Sequence, residues 1–168
     1  MLSFGVSGCG YSLSGRGSFL PAYIKVIGVP MFVNSTPVFD VEKRITERVR
    51  SELIGRGKYK VQPDVTGIDG LLTGNITSVT LAPAAFTNER LASRYVLTLT
   101  ANIEFKDMKT NKVLWSNPSM QFREEYDVVS NTASAADPAA FLGQDQNALE
   151  RLATEFARSI VSAILEAF

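Results

Sequence analysis

The clearest pattern in the chain is a strict alternation of residue types between Tyr95 and Phe105. Odd-numbered positions in this stretch are apolar, and even-numbered positions are mostly threonine, asparagine or glutamate. Alternation with period two predicts a β-strand with one face toward a core and the other toward solvent or a partner. Eleven residues at about 3.4 Å each make a strand of roughly 37 Å, which is long for a small domain.

Other β-rich stretches lie before and after this strand. Residues 24–32 carry apolar side chains on both faces, residues 58–61 predict a short strand, and residues 70–81 mix leucine, isoleucine and valine with threonine. Residues 106–112 predict a hairpin turn with Asn111 in the left-handed conformation. In the returning strand the apolar residues change from odd to even positions around Pro118, which predicts a β-bulge there.

Two stretches place apolar residues three and four positions apart, which predicts amphipathic helices. In the first, Thr36 and Pro37 indicate the start and Gly55 the end, and its apolar positions are Val38, Val41, Ile45, Val49 and Leu53. The charged residues between them favour a solvated face, with a phosphate site as the alternative. The second helix has apolar positions at Leu149, Leu152, Phe156, Ile160, Val161 and Ile164.

These elements predict an α+β fold in which two helices pack on one face of a mixed β-sheet of about four strands. A length of 168 residues suggests a single domain, which we place at residues 24–168. Residues 82–92 and 127–147 predict loops.

Cys9 is the only cysteine and follows Val6-Ser7-Gly8, the pattern read by the bacterial lipoprotein signal peptidase. We therefore expect residues 1–8 to be the remainder of a signal peptide and Cys9 to carry fatty acyl chains such as palmitate. Residues 9–23 are rich in glycine and serine and predict a flexible tether from this lipid anchor. The alternative is a free cysteine that acts as a small buried apolar residue.

Composition excludes several classes of function. The 17 basic and 17 acidic residues give a formal net charge of zero, so no broad basic field is available for nucleic acid. The chain has no histidine, which removes the commonest general base and metal ligand, and we expect no metal and no cofactor. Glu124 and Glu125 are the best candidate catalytic carboxylates, but neighbours on a strand point to opposite faces, so we expect no enzyme.

Short motifs in a fixed order make the chain resemble the lipopolysaccharide-assembly lipoproteins, the LptE family. The opening Cys9-Gly10-Tyr11-Ser12-Leu13 resembles the family's Cys-Gly-Tyr-x-Leu, and the hairpin has Asn111 where the family suggests glycine. The other matching motifs lie at residues 26–34, 74–78, 94–97, 112–115 and 124–126.

The resemblance implies a lipoprotein held at the periplasmic side of the outer membrane by acyl chains on Cys9. Such a protein complexes with the LptD β-barrel and assists the assembly of lipopolysaccharide, without catalysis. The alternative is another periplasm-facing lipoprotein of similar fold, such as an activator of a cell-wall synthase or a secretion accessory. Threonine-rich strand faces suit the polar interior of a large barrel, and they suit plain solvent exposure equally.

Contact with lipopolysaccharide phosphates would require cations. The predicted hairpin has the highest density of cationic residues, with Lys106, Lys109 and Lys112, and a second cluster consists of Arg90 and Arg94. The alternative is that the lysines only keep the turn soluble and guard it against edge pairing.

Overall fold

A computed structural model describes residues 20–86, 92–127 and 146–166. Within these residues the chain forms six β-strands and two α-helices. The strands are β1 Val26–Gly28, β2 Val33–Asn34, β3 Lys60–Gln62, β4 Gly70–Phe86, β5 Ala92–Asp107 and β6 Lys112–Asp127. The helices are α1 Val41–Gly55 and α2 Gln146–Leu165.

All six strands belong to one mixed sheet, in the order β3-β1-β4-β5-β6 with β2 beside β4. The strands β3, β1 and β4 run parallel, as do β2 and β4. The strands β4, β5 and β6 form a long antiparallel meander. The α+β class with two helices and a mixed sheet is confirmed.

The predicted alternation along β5 is also confirmed. Tyr95, at 3% exposed, is the most exposed of the odd-numbered residues between Tyr95 and Phe105, and Leu97, Leu99 and Ile103 are fully buried. The even-numbered residues of this stretch are half-buried or exposed. The buried side chains form one core with the apolar sides of α1 and α2, which include Ile45, Val49, Leu53, Leu152, Phe156 and Ile160.

Phe122 fixes the position of α2 on the sheet. It pairs with Leu99 in the register of β5 and β6, and its ring meets the ring of Phe156 edge-on at 6.3 Å between centroids. The helix therefore packs on the same sheet face as the odd-numbered residues of β5, because directly paired residues point to the same face.

The strand count differs from the prediction of about four, because the stretch at residues 24–32 does not form one strand. It gives only β1, and the separate strand β2 at Val33–Asn34 then pairs further along the same edge of β4. Phe32 covers Gly74 on the way, and its ring atoms lie 2.5 Å from where a Cβ at position 74 would be. Strands β4 and β5 also extend into the predicted loop at 82–92, to Phe86 and from Ala92.

The start of α1 also differs from the prediction. Residues 35–40 lie before the helix and are not part of it, because the Asn34 side chain holds them in a turn. Its carbonyl oxygen accepts the Thr36 N–H at 2.9 Å, and its amide group donates to the Val38 carbonyl at 2.7 Å. The helix begins at Val41, after Asp40 in a left-handed conformation at φ 62°.

The hairpin and the bulge are as predicted. Asn111 has φ 62°, and the register of β5 and β6 shifts between the pairs Ala101–Met120 and Ile103–Asn117. The shift inserts an extra residue next to Pro118. As a result, the core side of β6 changes from odd to even residue numbers.

Candidate functional site

The predicted lysine hairpin is a well-ordered turn organised by one carboxylate, that of Asp107. The Oδ1 atom accepts the backbone N–H of Lys109 at 2.8 Å, and Oδ2 accepts the Thr110 hydroxyl at 2.6 Å. The Tyr23 hydroxyl donates to the same Oδ2 atom from outside the hairpin. Asp107 is 1% exposed, so the turn is built around a buried charged group with a full set of donors.

These donors stabilise the ionised form of Asp107. Hydrogen bonds from Thr110 and then Tyr23 lower the pKa of the carboxyl to about 2, against the opposing effect of burial. The same hydrogen bond raises the pKa of the Tyr23 hydroxyl, because losing its proton would place a second negative charge beside Asp107. The turn therefore keeps a fixed negative centre beneath the lysines at physiological pH.

The lysines of the hairpin stand around this centre. Lys109 and Lys112 are exposed and Lys106 is half-buried. The Lys109 ammonium lies 4.8 Å from the centre of the Tyr23 ring, which is a cation–π distance. The three lysines share the hairpin but not one face, because Lys106 pairs with Val113 and Lys112 with Asp107, on opposite sides of the sheet.

Of the second predicted cluster, Arg94 lies at the other end of β5. Arg94 is exposed and pairs with Glu125 Oε2 at 3.4 Å, whereas Arg90 and Cys9 lie outside the described residues. Twelve residues separate Arg94 from Lys106 along the strand, which corresponds to about 40 Å. Arg94 and the hairpin lysines therefore cannot contact one phosphate group at the same time.

Between these ends, the face of β4, β5 and β6 opposite the helices is polar. Cross-strand neighbours on it are Thr80 with Thr98, Ser78 with Thr100, and Asn75 with Asn102. On the other side of β5, Thr98 pairs with Arg123 of β6 and Thr100 pairs with Gln121. We call these rows the open face; its side chains are half-buried or exposed, so hydroxyl and amide groups are available to a partner.

Several charged residues of α1, for which a solvated face was favoured, make structural contacts. Arg44 and Arg48 both bind the carboxylate of Glu150 on α2, Arg44 at 3.5 Å. Arg50 donates twice to the Val29 carbonyl, at 2.9 and 2.6 Å. These contacts hold α1 against α2 and the sheet, so the arginines are engaged within the protein.

A groove of about 570 Å³ lies between β6 and the helices. Its lining mixes the arginines 48, 123 and 151 with the glutamates 124, 150 and 155. Three arginines and three glutamates balance in charge, so the lining carries no strong preference for a charged ligand of either sign.

The candidate catalytic carboxylates do not converge. Glu124 pairs with Leu97 on the core side, and Glu125 pairs with Val96 on the open face. The described residues contain no group of histidine, cysteine and acidic side chains suited to a metal ion. Neither described helix has the length and apolar character needed to cross a membrane.

The profile of the LptE lipopolysaccharide-assembly family matches residues 24–164, which include both helices almost completely and all six strands. The chain belongs to the LptE family. This is a family of non-enzymatic lipoproteins, so membership supports a cell-envelope lipoprotein of the lipopolysaccharide-assembly type. No curated protein matches the chain by sequence.

Solved structures show the same fold at low identity. The rare lipoprotein B of Shewanella oneidensis matches with a TM-score of 0.56 and 14% identity, over 85% of this chain and 96% of that one. A lipoprotein B of Nitrosomonas europaea matches with a TM-score of 0.55 and 13% identity, over 94% of both chains. The PelC dodecamer of Paraburkholderia phytofirmans matches with a TM-score of 0.51 and 17% identity, over 84% of this chain and 88% of that one.

The structure also relies on residues that the sequence patterns did not single out. Asp107 was read as one residue of a polar turn, although an acidic residue followed three positions later by threonine is typical of a side-chain-stabilised turn. Asp69 plays a similar part, since its carboxylate accepts the N–H groups of Lys25 and Val26 at 2.9 Å each. These two hydrogen bonds lower the pKa of the Asp69 carboxyl, and the bond from Lys25 has the largest effect.

Proposed function

We propose that this LptE-family protein is an outer-membrane lipoprotein that binds the LptD β-barrel and assists the assembly of lipopolysaccharide at the cell surface. The family match over residues 24–164 carries the proposal. The protein acts by binding and not by catalysis, in keeping with a chain that has no histidine.

The open face is the surface that we propose to meet the barrel. Its paired threonines, serine and asparagines present donors and acceptors in regular rows, and the interior wall of a large barrel is lined by polar side chains. Hydroxyl and amide groups can exchange hydrogen bonds with such a wall and carry no charge that must be desolvated.

Acyl chains on Cys9 would hold the protein at the periplasmic side of the outer membrane. The sequence around Cys9 supports this modification, and each buried methylene contributes about 0.8 kcal/mol of membrane affinity. Several long chains together would therefore give a stable anchor. The mass of the protein purified from membranes tests the modification, since an unmodified Cys9 thiol would contradict it.

For the glycolipid itself, the lysine hairpin is the first candidate contact and the cluster of Arg90 and Arg94 the second. Lys109 and Lys112 are exposed cations above a rigid turn, and lysine binds phosphate as a point charge. Arg94 already neutralises Glu125, so its charge is partly satisfied.

Affinity purification of the tagged protein from outer membranes tests the proposal. A large β-barrel should accompany the parent protein, and much less of it should accompany a variant with Thr98→Lys and Thr100→Lys on the open face. The control is Lys43→Gln, an exposed position near the start of α1, which should retain the barrel. Recovery of a cell-wall synthase or a secretion complex in place of a barrel would support the alternative function instead.

A further inference from the structure

Six of the seven lysines lie at one end of the molecule. The sheet topology explains this, because β1, β3, β4 and β6 all begin at this end and β5 ends there. We call it the lysine end, and its members are Lys25, Lys58, Lys60, Lys106, Lys109 and Lys112. The seventh, Lys43, lies in the first turn of α1, and the other end of that helix leads to Lys58.

Backbone hydrogen bonds join these segments into one rigid surface. The Lys60 N–H donates to the Lys25 carbonyl at 2.8 Å, and the Lys25 N–H donates to the Asp69 carboxylate at 2.9 Å. The Met108 N–H then donates to the Asp69 carbonyl at 2.8 Å. The chain of contacts therefore runs from β3 across β1 to the hairpin, and it fixes the spacing of the lysines.

The positive charge of this surface is available for binding. None of its six lysines forms a salt bridge with an acidic residue in the described part of the chain. Asp69 and Asp107 are occupied by hydrogen bonds within the fold. Glu52 and Glu166 at this end lie near Arg56, at 3.2 and 3.9 Å.

Apolar groups lie among the lysines. Tyr23 and Met108 are each 37% exposed and Val113 is 42% exposed. Between the entering chain and β3 lies a groove of about 490 Å³, lined by apolar residues such as Pro21 and Tyr59 together with three lysines, Lys25, Lys58 and Lys60. A mixture of exposed apolar side chains and long cationic ones suits the boundary between lipid head groups and acyl chains.

The chain also enters the described structure at this end. Leu20 is buried, and the Tyr23 hydroxyl reaches Asp107 in the hairpin. Leu20 lies eleven positions after Cys9, so the segment that joins them spans at most about 40 Å. An acylated Cys9 would keep the lysine end close to the bilayer that holds the acyl chains.

We infer that the lysine end is a docking surface for the anionic phospholipid head groups of the bilayer in which the protein is anchored. Docking orients the domain, with the hairpin and the start of β1 toward the bilayer. The orientation rests on the acylation of Cys9 in the proposed function, whereas the affinity of the surface for anionic lipid does not depend on it.

Vesicle binding by the full chain carrying Cys9→Ala tests the inference, because this variant cannot be anchored by acyl chains. It should bind vesicles of phosphatidylglycerol and leave vesicles of phosphatidylcholine unbound. Binding should weaken steeply with added salt, as expected for exposed charges. The variant Lys58→Gln, Lys60→Gln, Lys112→Gln should bind about 100-fold more weakly, because each lysine near an anionic surface contributes about a factor of five.

A matched control removes three exposed cations elsewhere by Lys43→Gln, Arg151→Gln and Arg158→Gln. It should bind nearly as well as the parent, and thermal unfolding checks that both triple variants are folded. Equal weakening by the two sets would overturn the inference, because net charge alone would then explain binding. Binding to dispersed lipopolysaccharide without binding to phosphatidylglycerol would also overturn it and assign the surface to the glycolipid. Neither result would bear on the barrel partnership.

Discussion

At the scale of single residues, neighbouring positions of β5 lie in opposite environments. Leu99 is fully buried against the helices, and Thr98 lies on the open face. Leu99→Asp should therefore lower the free energy of unfolding by on the order of 4 kcal/mol, since an unpaired charge would be buried. Thr98→Asp should change it by less than about 0.5 kcal/mol. Urea unfolding of both variants decides the matter, and equal losses would mean that the face assignment is wrong.

Asp107 gives the hairpin a predictable response to acid. Its folded pKa of about 2 lies below the ordinary value of 3.8, so the ionised form favours the folded state. This contribution is complete above about pH 4 and is lost as the pH falls toward 2. Melting temperatures of the parent should fall across this window.

The control for this response is Asp107→Asn, which cannot ionise. The variant should be less stable than the parent at neutral pH, and its stability should depend less on pH between 4 and 2. Asp69, whose pKa is also lowered, remains in both proteins and cancels in the comparison. The same acid response in parent and variant would contradict the role given to Asp107.

Residue patterns in the sequence predicted the buried face of β5 because burial follows the two-residue period of a strand. They did not predict the role of Asp107 or Asp69. Each depends in part on a partner distant in sequence: the Tyr23 hydroxyl lies 84 positions before Asp107, although Thr110 lies only three positions after it. A periodic pattern contains no information about such contacts.

At the scale of elements, the passage from β1 to β2 depends on close contact between Phe32 and Gly74. A Cβ at position 74 would lie 2.5 Å from the Phe32 ring, so Gly74→Ala should destabilise the protein by about 1–3 kcal/mol. Thermal unfolding measures the loss, and adding Phe32→Leu should recover part of it. Gly55→Ala is the control, since nothing lies within 4 Å of a Cβ there and alanine favours a helix. A neutral Gly74→Ala would show that the contact is loose.

The elements themselves were predicted unequally. Both helices and β5 have strong periodic patterns, the stretches of β4 and β6 are β-rich, and the structure has all of these elements. The end of β1 at Gly28 and the separate strand β2 at Val33–Asn34 were not predicted, and they involve the close contact of Phe32 with Gly74. The late start of α1 follows from the side chain of Asn34. Local propensity favoured a helix start at Pro37, and the hydrogen bonds of Asn34 overrode it.

At the scale of the whole molecule, the sequence contained the family motifs, and the family match covers residues 24–164, where all of them except the opening motif at Cys9 lie. The lysines of the hairpin could be grouped from sequence because they are local. Their proximity to Lys25, Lys58 and Lys60 could not be predicted, because it depends on which strands begin at the same end of the sheet. Sheet order is set by pairing between distant segments, and no local pattern specifies it.

The most direct test of the account is the amount of lipopolysaccharide at the cell surface after the protein is depleted from its own cells. We expect surface lipopolysaccharide to fall and sensitivity to large hydrophobic antibiotics to rise. Expression of the parent chain should restore both, and Lys43→Gln should restore them equally well. Normal surface lipopolysaccharide after complete depletion would contradict a role in lipopolysaccharide assembly.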